Sequence, residues 1–176
     1  MQTNPKNVER IEEIRVNIDA RATLNLSTPF FKRMVNREFH IVTAKLFVQL
    51  KTDRSPSGKL YSDTAEALTN FGFEISCLVL EAKKYIDNEE IRLDWEPTSY
   101  PLRLVSPQSA SLFRFISKAD QSAYALYAAE RAGLISRVTR EEMLVPIEMA
   151  FNRIKQIALG FERKSAAQIA EELSIA

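Results

Sequence analysis

The strictest pattern in the chain covers residues 16–27, where apolar and polar side chains alternate without a break. A period of two predicts a β-strand with one face toward a core and the other toward solvent. Its apolar row is Val16, Ile18, Ala20, Ala22, Leu24 and Leu26. The strand ends in the sequence STP at 27–29, where a hydroxyl can cap a helix whose first position is the proline. The sequence therefore predicts a strand that leads directly into a helix.

The rest of the pattern is helical, with apolar positions three and four residues apart. The buried face of the first helix is expected to be Phe31, Val35, Phe39, Val42 and Leu46. A second helix is expected to start at Ser62 or Asp63, a third after the cap Ser106, and a fourth at the capping box TREE of 139–142. A short final helix is predicted over 165–173.

Composition places the chain among globular proteins, since hydrophobic residues make up 45% and charged residues 27% of its 176 positions. The net charge is only +1, but it is unevenly distributed. Residues 1–60 contain 11 Lys or Arg against 6 Asp or Glu, whereas residues 61–176 contain 13 against 17. Basic charge therefore surrounds the predicted strand and first helix, as expected if that end of the protein meets an anion.

The sequence also predicts where the protein works. No apolar run is long enough for a membrane span, and the polar N-terminus lacks the features of a secretory signal. The single cysteine, Cys77, lies in the apolar sequence FEISCLVL and is interpreted as a buried structural thiol. We therefore expect a cytoplasmic protein with no membrane partner.

Signals for catalysis are weak. The one histidine, His40, lies inside the first predicted helix, and no Cys or His cluster has the spacing of metal ligands. The four glycines are scattered, so no phosphate-binding loop can be built. We therefore expect no metal, no cofactor and no enzymatic activity.

The predicted strand needs a neighbour, because a lone strand leaves its backbone donors and acceptors unpaired. One candidate is the same strand of a second copy, paired antiparallel about a two-fold axis. The other is a strand of the same chain, either IRLDW at 91–95 or LRLV at 102–105, in a segment that predicts a loop or a weak two-stranded ribbon. The alternation alone does not choose between them.

A two-stranded ribbon fits the major groove of double-stranded DNA, and the polar row of the strand has the side chains that read bases. Arg21 can bind guanine, Asn25 can bind adenine, and Thr23 can contact a base edge or a methyl group. Candidate contacts to the phosphate backbone are Lys32, Arg33, Lys51, Arg54, Lys59, Ser62 and Thr64. The alternative is an edge strand of an ordinary α+β domain, without a role in DNA binding.

The order of strand, helix beginning STPFFKRM, loop and second helix resembles a ribbon-helix-helix module. A longer stretch is similar to AcaB-type transcriptional activators of conjugative plasmids and integrating conjugative elements: FGFEISCLVLEAKKYI, a tryptophan-containing linker, YPLRLVSPQSASLFRFISKADQSAYAL and AGLIS. This resemblance covers most of residues 16–160. It implies a mainly α homodimer whose strands pair across the two-fold axis. It also implies activation of conjugative-transfer genes, with RNA polymerase or another regulator as a further partner.

The implied organisation has three parts: a flexible N-terminal arm at 1–15, a ribbon-helix-helix-like DNA-binding region at 16–88 and a helical extension at 89–176. The chain departs from a minimal module in its longer first helix and in the loop KTDRSPSGK, which lacks a tight turn between the helices. These departures affect the phosphate contacts assigned at the second helix more than the base contacts assigned on the ribbon. The main alternative is a helical scaffold or accessory protein of a conjugative element that binds protein and not DNA. A small enzyme is the third class of function considered, after the regulator and the scaffold.

Overall fold

The computed structural model describes residues 20–53, 57–86 and 92–161. Within these ranges the chain is mainly helical and carries a small two-stranded antiparallel sheet, which confirms the predicted mainly α class. The elements in chain order are β1 (Ala20–Leu26), α1 (Pro29–Met34), a π-helical segment (Val35–Phe39), α2 (His40–Thr52), α3 (Lys59–Ile86), β2 (Thr98–Leu104), α4 (Pro107–Arg131) and α5 (Arg137–Ala158). The predicted N-terminal arm and the predicted helix over 165–173 lie outside the described residues.

β1 pairs antiparallel with β2 of its own chain, with Ala20 opposite Leu104 and Leu26 opposite Thr98. The in-chain alternative is therefore confirmed for this edge of β1, and pairing of β1 with a second copy stays a prediction. The physical reason for the in-chain pairing is that β2 supplies an apolar row of its own, which extends the inner face of β1 over α4. That row consists of Tyr100, Leu102 and Leu104.

A π-helical segment joins α1 to α2 in the helical stretch that follows β1. Phe31, Val35 and Phe39 are separated by steps of four, and each such step overshoots an α-helical turn by about 40°. The π-helical turn is wider and compensates for this rotation, so all three side chains stay buried. The apolar face predicted from Phe31 to Leu46 is confirmed.

The core lies between α3, α4 and α5, which pack against one another, while α2 packs on α5. Phe71 of α3 contacts Phe115 of α4 and Phe151 of α5 through their rings, at centroid distances of 6.1 and 6.0 Å. Gly72 lets α3 approach α4 closely, because a Cβ at this position would lie 2.7 Å from the Phe115 ring. The sheet packs against these helices through contacts of both strands with α4.

Two predicted helix starts are confirmed, and a glycine follows the end of the second of these helices. Thr28 caps α1, its side chain accepting from the Phe31 N–H, and Pro29 follows at the first position. Ser106 caps α4 in a reciprocal pair with Ser109. α4 ends just before Gly133, whose φ of 73° is the left-handed conformation that glycine adopts most easily.

Two predicted helix starts are wrong. α3 begins at Lys59, directly after Gly58, and not at Ser62 or Asp63. α5 begins at Arg137 and not at TREE, because the Ser136 side chain accepts from the backbone N–H of residue 139 and caps the helix earlier. Proline inside a helical pattern predicts a kink or a later start. Pro146 nevertheless lies within a continuous α5, on its exposed side, where water can satisfy the carbonyl that loses its N–H partner.

Candidate nucleic-acid interface

The outer face of the sheet is formed by alternate residues of both strands. On β1, Arg21, Thr23 and Asn25 are exposed, as the alternation predicts. Their register partners on β2, which are exposed as well, are Arg103, Pro101 and Ser99, respectively. Opposite residues of antiparallel strands share a face, so these six side chains form one surface, called the ribbon face below.

The inner face of the sheet fixes which residues point outward. Leu24, Leu26 and Leu102 are buried, with at most 2% of each exposed. Sliding either strand by one residue would turn these leucines to solvent, so the register is strongly specified. Ala20 was expected in the buried row but is exposed, and Val16 and Ile18 of the same predicted row lie outside the described residues.

A cross-strand hydrogen bond orients Asn25 on the ribbon face. The Ser99 hydroxyl donates to Asn25 Oδ1 over 2.7 Å. The contact fixes which side of the amide carries the oxygen and leaves its two N–H donors for another partner. Reasoning from β1 alone could not find this contact, because Ser99 belongs to a strand that the sequence pattern indicates only weakly.

A buried carboxylate holds the junction between β1 and α1. Asp120 of α4 accepts from the backbone N–H of Ser27 at 2.7 Å and from that of Thr28 at 3.0 Å. The Thr28 hydroxyl donates to the same carboxylate at 2.6 Å while it caps the helix. Asp120 is only 4% exposed, so its charge is satisfied almost entirely by these donors. The end of β1 is thereby tied to the centre of the helical core.

Sequence reasoning missed Asp120, although a signal was present. Ala119 precedes Asp120 and Ala123 follows it by three residues, and both alanines are fully buried. An aspartate next to such positions is rarely buried unless it is paired. The buried neighbours therefore indicate that Asp120 has a hydrogen-bond partner. The sequence does not show that the partners, Ser27 and Thr28, are 93 and 92 residues away in the chain.

Two of the predicted phosphate contacts, Lys32 and Arg33, lie on α1. Lys32 is half-buried, and its Nζ donates to the carbonyl of Glu96 at 3.1 Å, just before the start of β2. It therefore lies near the end of the sheet where Leu26 meets Thr98. Arg33 is exposed and lines a separate cleft between α1 and α5.

Three other predicted phosphate contacts lie on α2 or early in α3. Lys51 is exposed and lines an apolar pocket of about 600 Å³ together with Ala20 and Leu104, at the opposite end of the sheet from Lys32. Lys59 and Ser62 are exposed in the first turn of α3. Lys32 and Lys51 thus lie near opposite ends of the ribbon face.

The assignment of Thr64 as a phosphate contact is wrong. Thr64 is 3% exposed and faces the same side of α3 as the buried residues Ala67 and Phe71. Among the described residues its hydroxyl has no hydrogen-bond partner, but its burial keeps it away from any backbone phosphate. Arg54, another predicted contact, lies outside the described residues.

A second polar cluster lies in the cleft between α1 and α5, which has a volume of about 480 Å³. Arg140 of α5 is buried, pairs with Glu130 of α4 at 2.5 Å and stacks over the Tyr127 ring at 4.0 Å. Burial raises the pKa of Tyr127, while the positive charge of Arg140 acts in the opposite direction. The cluster joins α4 to α5 and is separate from the ribbon face.

The described residues offer few other groups for chemistry. His40 is exposed, and Cys77 is half-buried and not fully buried as predicted. Within the described ranges, no three His, Cys, Asp or Glu side chains are grouped so that they could hold a metal ion. None of the helices in these ranges is long and apolar enough to span a membrane.

Comparison with known proteins gives one informative likeness. Neither the protein-family models nor the curated proteins contain a match. Among solved structures, the chain is similar to the crystal structure of selenomethionine-containing AcaB from uropathogenic E. coli. The TM-score is 0.67 at 16% sequence identity, over 90% of this chain and 88% of that chain. The chain has an AcaB-like fold. The resemblance inferred from the sequence is therefore confirmed at the level of the fold.

Proposed function

We propose that this protein is a sequence-specific DNA-binding transcriptional regulator that reads the major groove with its ribbon face. Its main support is the exposed row of Arg21, Thr23 and Asn25 on a strand whose register and end are both fixed. A two-stranded ribbon fits a groove about 12 Å wide, and seven strand residues extend for about 23 Å along it. Side chains held on a regular element lose little conformational freedom on binding, which favours selective contacts.

The regulatory role has two further supports. The fold shared with AcaB favours the same class of protein. The sequence resemblance to AcaB-type activators favours activation of conjugative-transfer genes, with RNA polymerase or another regulator contacted by the helices. The protein acts in this scheme by binding alone, without a cofactor or a catalytic step.

A homodimer through β1 is part of the proposal, because β1 has a second edge on the side away from β2. Among the described residues β1 pairs only with β2. β2 carries Pro101 at its centre, and a proline without an N–H blunts the outer edge of a strand. β1 contains neither proline nor lysine over 20–26, so its second edge is the better template for another strand.

The position of Pro101 also suggests a register for the dimer. Proline cannot complete a hydrogen-bonded pair, so the backbone groups of Thr23, its register partner, are expected to point to the second edge of β1. Thr23 is the midpoint of Ala20–Leu26. A two-fold axis at Thr23 pairs all seven residues of both copies and gives the strand order β2, β1, β1, β2.

Thr23→Cys in a Cys77→Ser background is expected to form a disulfide-linked dimer under mild oxidation, as measured on a non-reducing gel. Directly opposite, hydrogen-bonded residues have Cα atoms about 5.5 Å apart, which a disulfide can span. The matched control is Ser99→Cys in the same background, because the two β2 strands would be about 14 Å apart. No cross-link at position 23, or equal cross-linking at position 99, would contradict the dimer.

Arg21→Ala, Thr23→Ala and Asn25→Ala are each expected to weaken binding to a duplex that the wild-type protein selects from a randomised pool. Each lost base contact should cost about 1–3 kcal/mol in binding free energy. Fluorescence anisotropy measures the affinity, and circular dichroism checks that these exposed positions leave the fold intact. Asn70→Ala, an exposed change on α3, is the control and should bind like wild type. Unchanged affinity in all three ribbon variants would rule out base reading by this face.

A salt titration distinguishes this function from its main alternative, a scaffold that binds protein and not DNA. Phe73 and Leu80, one face of α3, are 61% and 62% exposed, which favours the scaffold as the second candidate. A DNA reader loses affinity steeply as salt rises, because its lysines release counterions from phosphates. The cations expected to contribute are Lys32, Arg33, Lys51 and Lys59, with Ser62 as a neutral donor. A scaffold would show no saturable binding to any duplex.

A further inference from the structure

We propose that the cleft between α1 and α5 binds a small organic anion, meaning a molecule that carries an acidic group on an apolar body. The inference goes beyond DNA binding and does not rest on it, since no residue of the ribbon face lines the cleft. The cleft has a volume of about 480 Å³, and small-molecule sites in proteins usually have about 300–1,000 Å³. Its lining supplies an apolar wall and a pair of arginines, which together define the class of ligand.

The apolar wall comes from both sides of the cleft. Met34 of α1 and Leu144 and Phe151 of α5 line it, and at most 9% of each is exposed. Phe30 of α1 and Tyr127 of α4 add partly buried rings. Sites for small molecules are mostly apolar in this way, because covering such side chains removes apolar surface from water. The body of the ligand is therefore expected to be apolar or aromatic.

The Tyr127 ring is fixed in position before a ligand binds. The guanidinium of Arg140 lies over it, 4.0 Å from the centroid. Trp95 contacts it in a T-shaped arrangement at a centroid distance of 5.1 Å. Side chains that are already ordered lose little conformational freedom on binding, which favours affinity. This part of the wall is therefore preformed.

Arg33 and Arg37 supply the positive charge of the site. Arg33 lies in the last turn of α1 and Arg37 in the π-helical segment, and both are exposed and line the cleft. Side chains four residues apart on a helix are neighbours, so one acidic group can contact both guanidinium groups. Within the described ranges, neither guanidinium has a hydrogen bond or an ion pair. Their planar sets of donors suit a carboxylate or a similar oxyanion.

The other charges of the lining do not cancel the two arginines. Three of these side chains are paired with residues outside the lining: Arg140 with Glu130, Glu38 with Lys155, and Glu141 with Arg137. Glu148 of α5 is the remaining one, and it forms no ion pair in the part of the chain that the structure describes. One such carboxylate against two arginines leaves the unpaired charge of the lining positive, which favours an anion over a cation.

Fluorescence titration of the full-length protein with anilinonaphthalene sulfonate tests this site, because the dye joins a sulfonate to an apolar ring system and brightens when it leaves water. Arg37→Ala is expected to weaken its binding about fivefold, since one of two guanidinium contacts is lost. Phenylnaphthylamine, the same ring system without the sulfonate, is the neutral probe, and its affinity should not change in this variant. Arg37 is tested because Arg33 is also expected to contribute to DNA binding.

Two further variants separate the apolar wall from the charge and the cleft from another pocket. Phe30→Ala should weaken the binding of both dyes by a similar factor, because it removes apolar wall and no charge. Lys51→Ala removes a cation from the apolar pocket at the end of the sheet, so it should leave the affinity for the sulfonate dye unchanged. Circular dichroism checks that each variant is folded.

Three outcomes would overturn the proposal. The first is that the wild-type protein shows no saturable binding of the sulfonate dye. The second is that Arg37→Ala leaves its affinity unchanged or weakens both dyes equally, because the arginine would then not bind the acidic group. The third is a loss in Lys51→Ala without one in Arg37→Ala, which would place the dye in the other pocket. No duplex is present in these titrations, so a failure here leaves the proposed DNA-binding function standing, and the reverse holds as well.

Discussion

Asp120→Asn is expected to lower the free energy of unfolding by about 3 kcal/mol. Oδ1 of the native carboxylate accepts from the Thr28 N–H and hydroxyl, and Oδ2 accepts from the Ser27 N–H. An asparagine keeps one acceptor oxygen and brings an NH₂ group against a donor, so at least one buried donor loses its partner. Hydrogen bonds to a charged group contribute about 1.5–3 kcal/mol each, and an unpaired buried donor adds a desolvation cost.

Urea unfolding followed by far-ultraviolet circular dichroism measures this loss as a lower midpoint at an unchanged slope. Asp94→Asn is the matched control, because Asp94 is exposed and its replacement should change stability by no more than about 0.5 kcal/mol. A loss below about 1 kcal/mol for Asp120→Asn would mean that the junction is held by other contacts.

The anchor at Asp120 also explains how a two-stranded sheet can be held rigidly. A two-stranded hairpin alone is marginally stable in water. Here the sheet gains buried leucines on its inner face and a fixed end at Ser27 and Thr28. The ribbon face is thereby tied to the helices.

The two faces of β1 could be predicted from the sequence because their period is local. Alternation alone separates Arg21 and Asn25 from Leu24, and a hydroxyl before Pro29 is enough to start a helix. The π-helical segment was not predicted, although its cause is visible in the two steps of four from Phe31 to Phe39. Such patterns involve neighbours in the chain, so no knowledge of the fold is needed to read them.

The partner of β1 could not be predicted in the same way. β2 has Pro101 at its centre, which argues against a paired strand when the sequence is considered alone. In the fold the proline is tolerated because β2 lies at an edge of the sheet. The ribbon face therefore has a second half, with Ser99 and Arg103, that depends on the tertiary structure.

The wrong assignment of Thr64 has a different cause. It followed from a helix start at Ser62 or Asp63, which would place Thr64 in the first turn with its side chain near solvent. α3 starts earlier, at Lys59, so Thr64 is more than one turn inside the helix. Its spacing to Ala67 and Phe71 puts it on the buried side. An error of three or four residues in a helix start thus changed the assigned function of a side chain.

Arg140→Ala is expected to destabilise the protein by about 3 kcal/mol. Arg140 is 7% exposed, its Nε lies 2.5 Å from the carboxylate of Glu130, and its guanidinium covers the Tyr127 ring. Removing one member of a buried ion pair leaves the other charge without compensation, which costs more than the pair itself contributes. The pKa of Tyr127 should rise further in this variant, because the positive charge that lowers it is gone.

Arg137→Ala on the same helix is the matched control for Arg140. Arg137 pairs with Glu141 at 2.7 Å, but the two side chains are 76% and 50% exposed, so water screens the pair. Urea unfolding should therefore leave the midpoint of Arg137→Ala close to wild type while that of Arg140→Ala falls. Glu130→Gln should lose less than Arg140→Ala, since it keeps a neutral acceptor for the guanidinium. Equal effects of the two arginine changes would show that burial does not strengthen the ion pair between α4 and α5. The cleft between α1 and α5 would then be held by its apolar contacts alone.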